Sequence, residues 1–169
     1  GVGLINALYA LNGDRVTKYT LAKEAATIEL DVLNRSMGKQ DHFAAAYGSL
    51  SVYTFNADET VTADPVHYDP DIVESLNSRL MLFYVGNQRD ASNVLKAQVA
   101  ATGEKEDVLS AMCDMVDPMV EILSGRGVLS DVGPMLHESW LLKRSITNRT
   151  STAEIDAAFE RAMEAGAGG

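Results

Sequence analysis

Cysteine is almost missing from these 169 residues: Cys113 is the lone thiol, so an intrachain disulfide is impossible and a four-cysteine zinc site is excluded. Positive charge is also short. Lys and Arg number 14 against 24 Asp and Glu, a net charge of -10 with no basic block, which disfavours binding to nucleic acid or to an acidic membrane surface. No apolar run approaches the roughly 20 residues needed to cross a bilayer. The first residues also lack the charged start and cleavage site of a signal peptide. The three histidines, His42, His67 and His137, are scattered and do not form a metal motif. These absences lead us to expect a cytoplasmic protein without a nucleic-acid or membrane partner, and they leave the oligomeric state open.

What remains has the balance of folded, globular material, with 46% hydrophobic and 22% charged residues. The length suits one domain or pieces of two. Val2, Leu4, Ile5, Leu8 and Leu11 recur at helical spacing from the very start, and the chain closes on Gly166-Ala167-Gly168-Gly169. Both ends therefore read as cut, and we expect a piece of a longer sequence.

The opening helix should stop at Leu11-Asn12-Gly13. A second, capped by Thr17 or Thr20, should bury Leu21, Ala25, Ile28 and Val32 on one stripe. Asp41 opens a short helical stretch ended by Gly48, with the plain helix N-cap as its alternative role. Then the period changes to two: Leu50, Val52 and Thr54 read as a strand, Asn56-Ala57-Asp58-Glu59 as a turn and Thr60-Val61-Thr62-Ala63 as its return. Two prolines in 64–70 mark a connection, which divides the chain into domains 1–66 and 67–169. The apolar run 80–85 reads as a strand covered on both faces. Helices should follow, one on Ala91, Val94, Leu95 and Val99 and one on Val108, Met112, Met115, Met119 and Ile122 with a kink at Pro118. Two more should span 135–145 and 151–165, the last opened by a capping box, Ser151-Thr152-Ala153-Glu154. Cys113, among Met112, Met115 and Val116, reads as core.

One carboxylate is out of place. On a helical wheel with Leu21 at zero, the apolar arc runs from about 340° to about 120° and Glu29 falls at about 80°, inside it. Glu24 and Asp31 fall outside and read as ordinary solvent-facing charges. An ionised carboxylate on an apolar stripe calls for a cation or strong donors, unless its side chain curls out to water. Twelve positions on, Gly38-Lys39-Gln40-Asp41 puts a lysine and an acid together after a glycine that lets the backbone approach a ligand. An acidic base beside a cation is a workable pair for phosphoryl transfer.

The string Gly38-Lys39-Gln40-Asp41-His42-Phe43-Ala44-Ala45-Ala46-Tyr47-Gly48 resembles a segment of the heptose 7-phosphate kinases. Those enzymes lie within the GHMP superfamily of galactokinases, homoserine kinases and mevalonate kinases. Three further stretches share the likeness: Gly3-Leu4-Ile5-Asn6-Ala7-Leu8-Tyr9-Ala10-Leu11, Leu82-Phe83-Tyr84-Val85-Gly86-Asn87-Gln88-Arg89, and Leu136-His137-Glu138-Ser139-Trp140-Leu141-Leu142-Lys143-Arg144-Ser145. The resemblance implies an α+β, two-lobed GHMP kinase fold: a lobe like ribosomal protein S5 domain 2 over 1–66 and a ferredoxin-like lobe over 67–169, both incomplete. It implies ATP and Mg2+ as cofactors and a sugar phosphate as acceptor. Asp41 would be the catalytic base with Lys39 beside it, Glu29 the metal ligand, and Gly38, Gln40, His42 and Tyr47 substrate contacts. Arg89 and Lys143 could hold a second phosphate on the substrate. Position 42 departs from the pattern, being His where the resembling kinases usually have Gln. The phosphate loop expected before Gly1 and the closing glycine-rich motif are not in the sequence, so no ATP-binding residue is assigned and the piece alone should bind ATP poorly.

The expected reaction is transfer of the γ-phosphoryl group of ATP to a hydroxyl of a heptose phosphate, for nucleotide-activated heptose synthesis. Other readings stay open: a kinase for another sugar such as fucose or galactose, a sugar- and ATP-binding regulator with weak catalysis, or a self-sufficient helical binding module.

Overall fold

Residues 1–84, 103, 105–147 and 150–169 are described by a computed structural model, an α+β arrangement that divides into two units, Gly1–Val66 and His67–Gly169. Arg89, Val85 and the helix expected on Ala91, Val94, Leu95 and Val99 lie outside the described residues.

In the first unit, α1 (Val2–Leu11) ends at Asn12 with Gly13 at φ 81°, a left-handed stop. Helix α2 (Lys18–Thr27) starts on Thr17, whose hydroxyl accepts from the Thr20 amide at 3.0 Å. The chain then passes into a π-helical turn, Ile28–Val32, with the Leu33 amide bonded to the Ile28 carbonyl at 2.9 Å. That wider turn changes the helical phase. Leu21, Ala22, Ala25 and Ala26 are buried, whereas Ile28 and Val32, expected on the same stripe, are exposed. Helix α3 (Gln40–Tyr47) follows, ended by Gly48 at φ 65°, and strands β1 (Ser51–Phe55) and β2 (Val61–Pro65) pair antiparallel with Phe55 opposite Val61. Asp41 is the second residue of α3, so its alternative as the N-cap is corrected: Lys39 holds that position.

The core of this unit is aromatic. Phe43 is 2% exposed, packs with Ala22 and Val61, and meets Tyr19 edge-on with centroids 5.7 Å apart. Tyr47 stacks on it at 6.2 Å, while Tyr53 and Phe55 of the hairpin approach edge-on. Such pairs each contribute about 0.5–1.5 kcal/mol beyond the area they bury. The aromatic positions of the motif, four apart on one face of α3, thus bolt that helix to the hairpin.

In the second unit, α4 (Pro70–Asn77) is capped by the Asp69 carboxylate, which accepts from the Asp71 amide at 2.9 Å, with Pro70 in the first turn. Helices α5 (Glu106–Asp114) and α6 (Val116–Leu123) break at Met115, which places Pro118 in the first turn of α6, where its missing N–H costs nothing. Helices α7 (Val132–Ile146) and α8 (Ala153–Glu164) complete the described residues, with α5 against α7 and α4 against α6.

Three expectations fail here. The run 80–84 is not a strand, and Leu82 is fully exposed: no strand of this unit's described residues offers it a ladder. Cys113 is exposed and not core, because α5 buries none of its residues. The cap of α8 is Thr152, whose hydroxyl accepts from the Ile155 amide, while Ser151 donates to Asp156 at 2.7 Å, one residue out of register with the expected capping box. No described helix is long and apolar enough to cross a membrane.

Candidate functional site

Glu29 lies on the buried side of the π-helical turn, its side chain 20% exposed, and each carboxylate oxygen faces a basic group. Arg35 Nη1 is 3.5 Å from Oε2. His42 Nε2 is 3.9 Å from Oε1, which places the first turn of α3 against the carboxylate. A third element converges there. A Cβ built on Gly1 would lie 3.3 Å from Glu29 Oε1, so the carboxylate also sits against the residue that precedes α1.

Asp41 is exposed on the first turn of α3, one residue before the imidazole that faces Glu29. Its neighbours in the motif go different ways. Lys39 forms an ion pair and hydrogen bond with Glu59, a residue of the hairpin turn that the sequence did not single out. That contact holds the Glu59 carboxyl below its ordinary value, since the ammonium favours the charged form. Glu59 itself adopts φ 66°, a left-handed conformation normally left to Gly or Asn at this hairpin position. Gly38 and Gln40 are exposed, and nothing crowds the space a side chain at Gly38 would fill.

Of His42 and Tyr47, expected to touch substrate, the His42 ring is 5% exposed, and Tyr47 packs, partly buried, against the aromatic core, with its carbonyl accepting from Lys18 at 2.8 Å. Glu24, expected to face only solvent, accepts from the Tyr9 hydroxyl at 2.7 Å and ties α1 to α2. Lys143 is exposed in the last turn of α7, and its neighbour Arg144 pairs with Asp156 at 3.3 Å and lies over Trp140.

The first unit has a concavity of about 360 Å³ between α2 and the hairpin turn, lined by Tyr19, Lys23, Asp31, Lys39, Asp58 and Glu59 among others. A shallower one follows the outer face of α2 from Tyr19 to Ile28. Neither is lined by Glu29 or Asp41. No group of three or more His, Cys, Asp or Glu able to hold a metal occurs among the described residues. Glu29 is thus a lone carboxylate with an arginine and an imidazole facing its two oxygens.

In sequence the chain is similar to a sugar kinase. That relative is the D-glycero-alpha-D-manno-heptose 7-phosphate kinase of Campylobacter jejuni, 24% identical over 168 residues, which are 98% of this chain and 49% of the relative. The chain spans about half the length of the curated relative it matches. No family model and no solved structure matches it.

Proposed function

We propose that this chain carries the acceptor-activating part of an ATP-dependent sugar kinase that phosphorylates a hydroxyl of D-glycero-D-manno-heptose 7-phosphate. The units Gly1–Val66 and His67–Gly169 then belong to its N-terminal and C-terminal lobes. The observation that supports the reading most is the meeting of Glu29 with the start of α1 and the first turn of α3, one residue from Asp41.

The residues fit a magnesium nucleotide in two respects. Mg2+ keeps most of its waters and takes one or two protein carboxylates beside the phosphates, so Glu29 alone suffices to hold it. The Arg35 guanidinium is a donor of the kind that phosphate oxygens need. When bound, MgATP supplies an electrophilic γ-phosphoryl group whose charge the cation offsets. Asp41, open to solvent on its helix, accepts the proton of the attacking sugar hydroxyl at a carboxylate oxygen. Lys39 stays bound to Glu59 until substrate phosphate or hydroxyl competes for its ammonium.

The test is ADP release by the whole protein that carries this chain, offered heptose 7-phosphate and a panel of other sugars and sugar phosphates. Turnover on heptose 7-phosphate is expected, with Asp41→Asn lowering it about 10²- to 10⁴-fold. Unchanged turnover of Asp41→Asn at saturating ATP and sugar refutes the base. A sugar that binds while ATP stays intact makes the protein a sensor.

A further inference from the structure

We infer that Glu59 is a resident brake on Lys39: a carboxylate that occupies the ammonium in the empty protein and that the anionic end of the acceptor has to displace. The inference rests on the sugar-kinase reading and on Lys39 meeting the acceptor, and it gives a task to the hairpin residue that holds this lysine.

Three observations carry it. The first is backbone geometry. Glu59 adopts φ 66°, where a side chain is strained and glycine is not. The turn does not need that side chain. Its backbone closes through the Asn56 amide on the Thr60 carbonyl at 2.9 Å and the Glu59 amide on the Asn56 carbonyl at 3.0 Å. Asp58 accepts from the Thr60 amide and hydroxyl at 3.0 and 2.6 Å, so the loop is tied without help from the Glu59 carboxylate. For folding alone, glycine is the better residue at this position.

The second is exposure. The Glu59 side chain is 81% exposed and that of Lys39 33%, so water screens their pair and it stabilises the unit little. A weak pair on a strained residue is a poor staple. It is a good competitor, since a phosphate monoester can replace a screened carboxylate on an ammonium at low cost. Nor does α3 depend on the Lys39 side chain, which makes no cap on it.

The third is charge. Lys39 and Glu59 both line the concavity of about 360 Å³ between α2 and the hairpin turn, where the other charged side chains are Lys23, Asp31 and Asp58. Three acids against two lysines leave this lining with one net negative charge, which repels an anion. With Glu59 turned out to water the same wall is balanced, and the Lys39 ammonium is open to an oxyanion. Glu59 is the single charge that separates the two states.

The test uses the whole protein that carries this chain, with heptose 7-phosphate and the unphosphorylated heptose as probes. Steady-state kinetics of Glu59→Gln and Glu59→Gly should show the KM for heptose 7-phosphate lowered about two- to fivefold, the ratio that an exposed ion pair supports, with kcat held. Calorimetry should show tighter binding of heptose 7-phosphate and no change for the unphosphorylated sugar. The gain should vanish when Lys39→Met is added. Glu59→Gly should melt no lower than the unaltered protein, which separates a released brake from a damaged fold. A raised KM or a lowered kcat in Glu59→Gln overturns the brake, because Glu59 then orients Lys39 instead of competing for it. If both Glu59 variants bind like the unaltered protein while Lys39→Met weakens binding, the brake fails and Lys39 stands as an acceptor contact. If Lys39→Met alone binds heptose 7-phosphate as before, Lys39 does not meet the acceptor, and the brake falls with that assignment. Absence of any heptose 7-phosphate binding refutes the kinase reading first and the brake with it.

Discussion

The two units use their apolar residues differently. In Gly1–Val66 one phenylalanine is fully enclosed by four aromatic rings, and the helix that carries the candidate base is part of that enclosure. In His67–Gly169 the buried apolar side chains among the described residues are aliphatic, Ile122, Leu123, Val132 and Ile146, while exposed large apolar residues occur in both units, Leu4, Leu8 and Leu11 in the first and Val116, Leu136, Leu141 and the run 80–84 in the second. The difference shows where the sequence is self-consistent: the motif that resembles a kinase segment also supplies the packing that holds it.

The sharpest way to break this contrast is Phe43→Ala, expected to cost the first unit about 3–5 kcal/mol in urea unfolding followed by tyrosine signals, whereas Leu136→Ala in the second should stay within about 0.5 kcal/mol. Comparable losses from the two would erase the distinction. Gly127→Ala tests whether the second unit has any site as tightly filled. Its Cβ would land 2.6 Å from Ile122 Cγ1, so a loss of about 1–3 kcal/mol is expected, read by Trp140 fluorescence. Thr17→Ala, which removes the cap of α2, should cost about 1 kcal/mol in thermal unfolding, and no change would mean that the helix start is held by packing instead.

The smallest effect lies in acid. The Lys39 ammonium lowers the Glu59 carboxyl below its ordinary value of 4.5, so the folded group releases its proton more readily than the unfolded one. This contribution is therefore complete above the ordinary value and is lost as pH falls through the lowered folded value. Melting curves between about pH 5 and 3 should show a shallower acid loss for Glu59→Gln than for the unaltered chain, and identical slopes would remove the Lys39 tie from the picture.

Local signals were readable in advance. Asn12-Gly13, the Thr17 cap and the turn Asn56-Ala57-Asp58-Glu59 each carry their geometry in adjacent residues, and each appears in the structure. The wheel marked Glu29 but left open whether its side chain curls out to water; it is half-buried and faces basic groups. Helix α4 was missed although Asp69-Pro70 is a helix-start signal, because Pro70 was read only as part of a connection. Contacts that join distant residues left no trace in spacing. Nothing in the sequence ties Lys39 to Glu59, and the likeness that suggested His42 and Tyr47 as sugar contacts says nothing of their burial.

The π-helical turn Ile28–Val32 has a consequence for how such a site can arise. Its looser winding lets Ile28 and Val32 rotate outward while Glu29 remains on the inner side. A regular continuation would have presented branched aliphatics alongside the acid to the neighbouring helices, leaving a charge wedged in hydrocarbon. One slack turn thus trades two greasy neighbours for an arginine and an imidazole, converting a would-be packing defect into a polar socket.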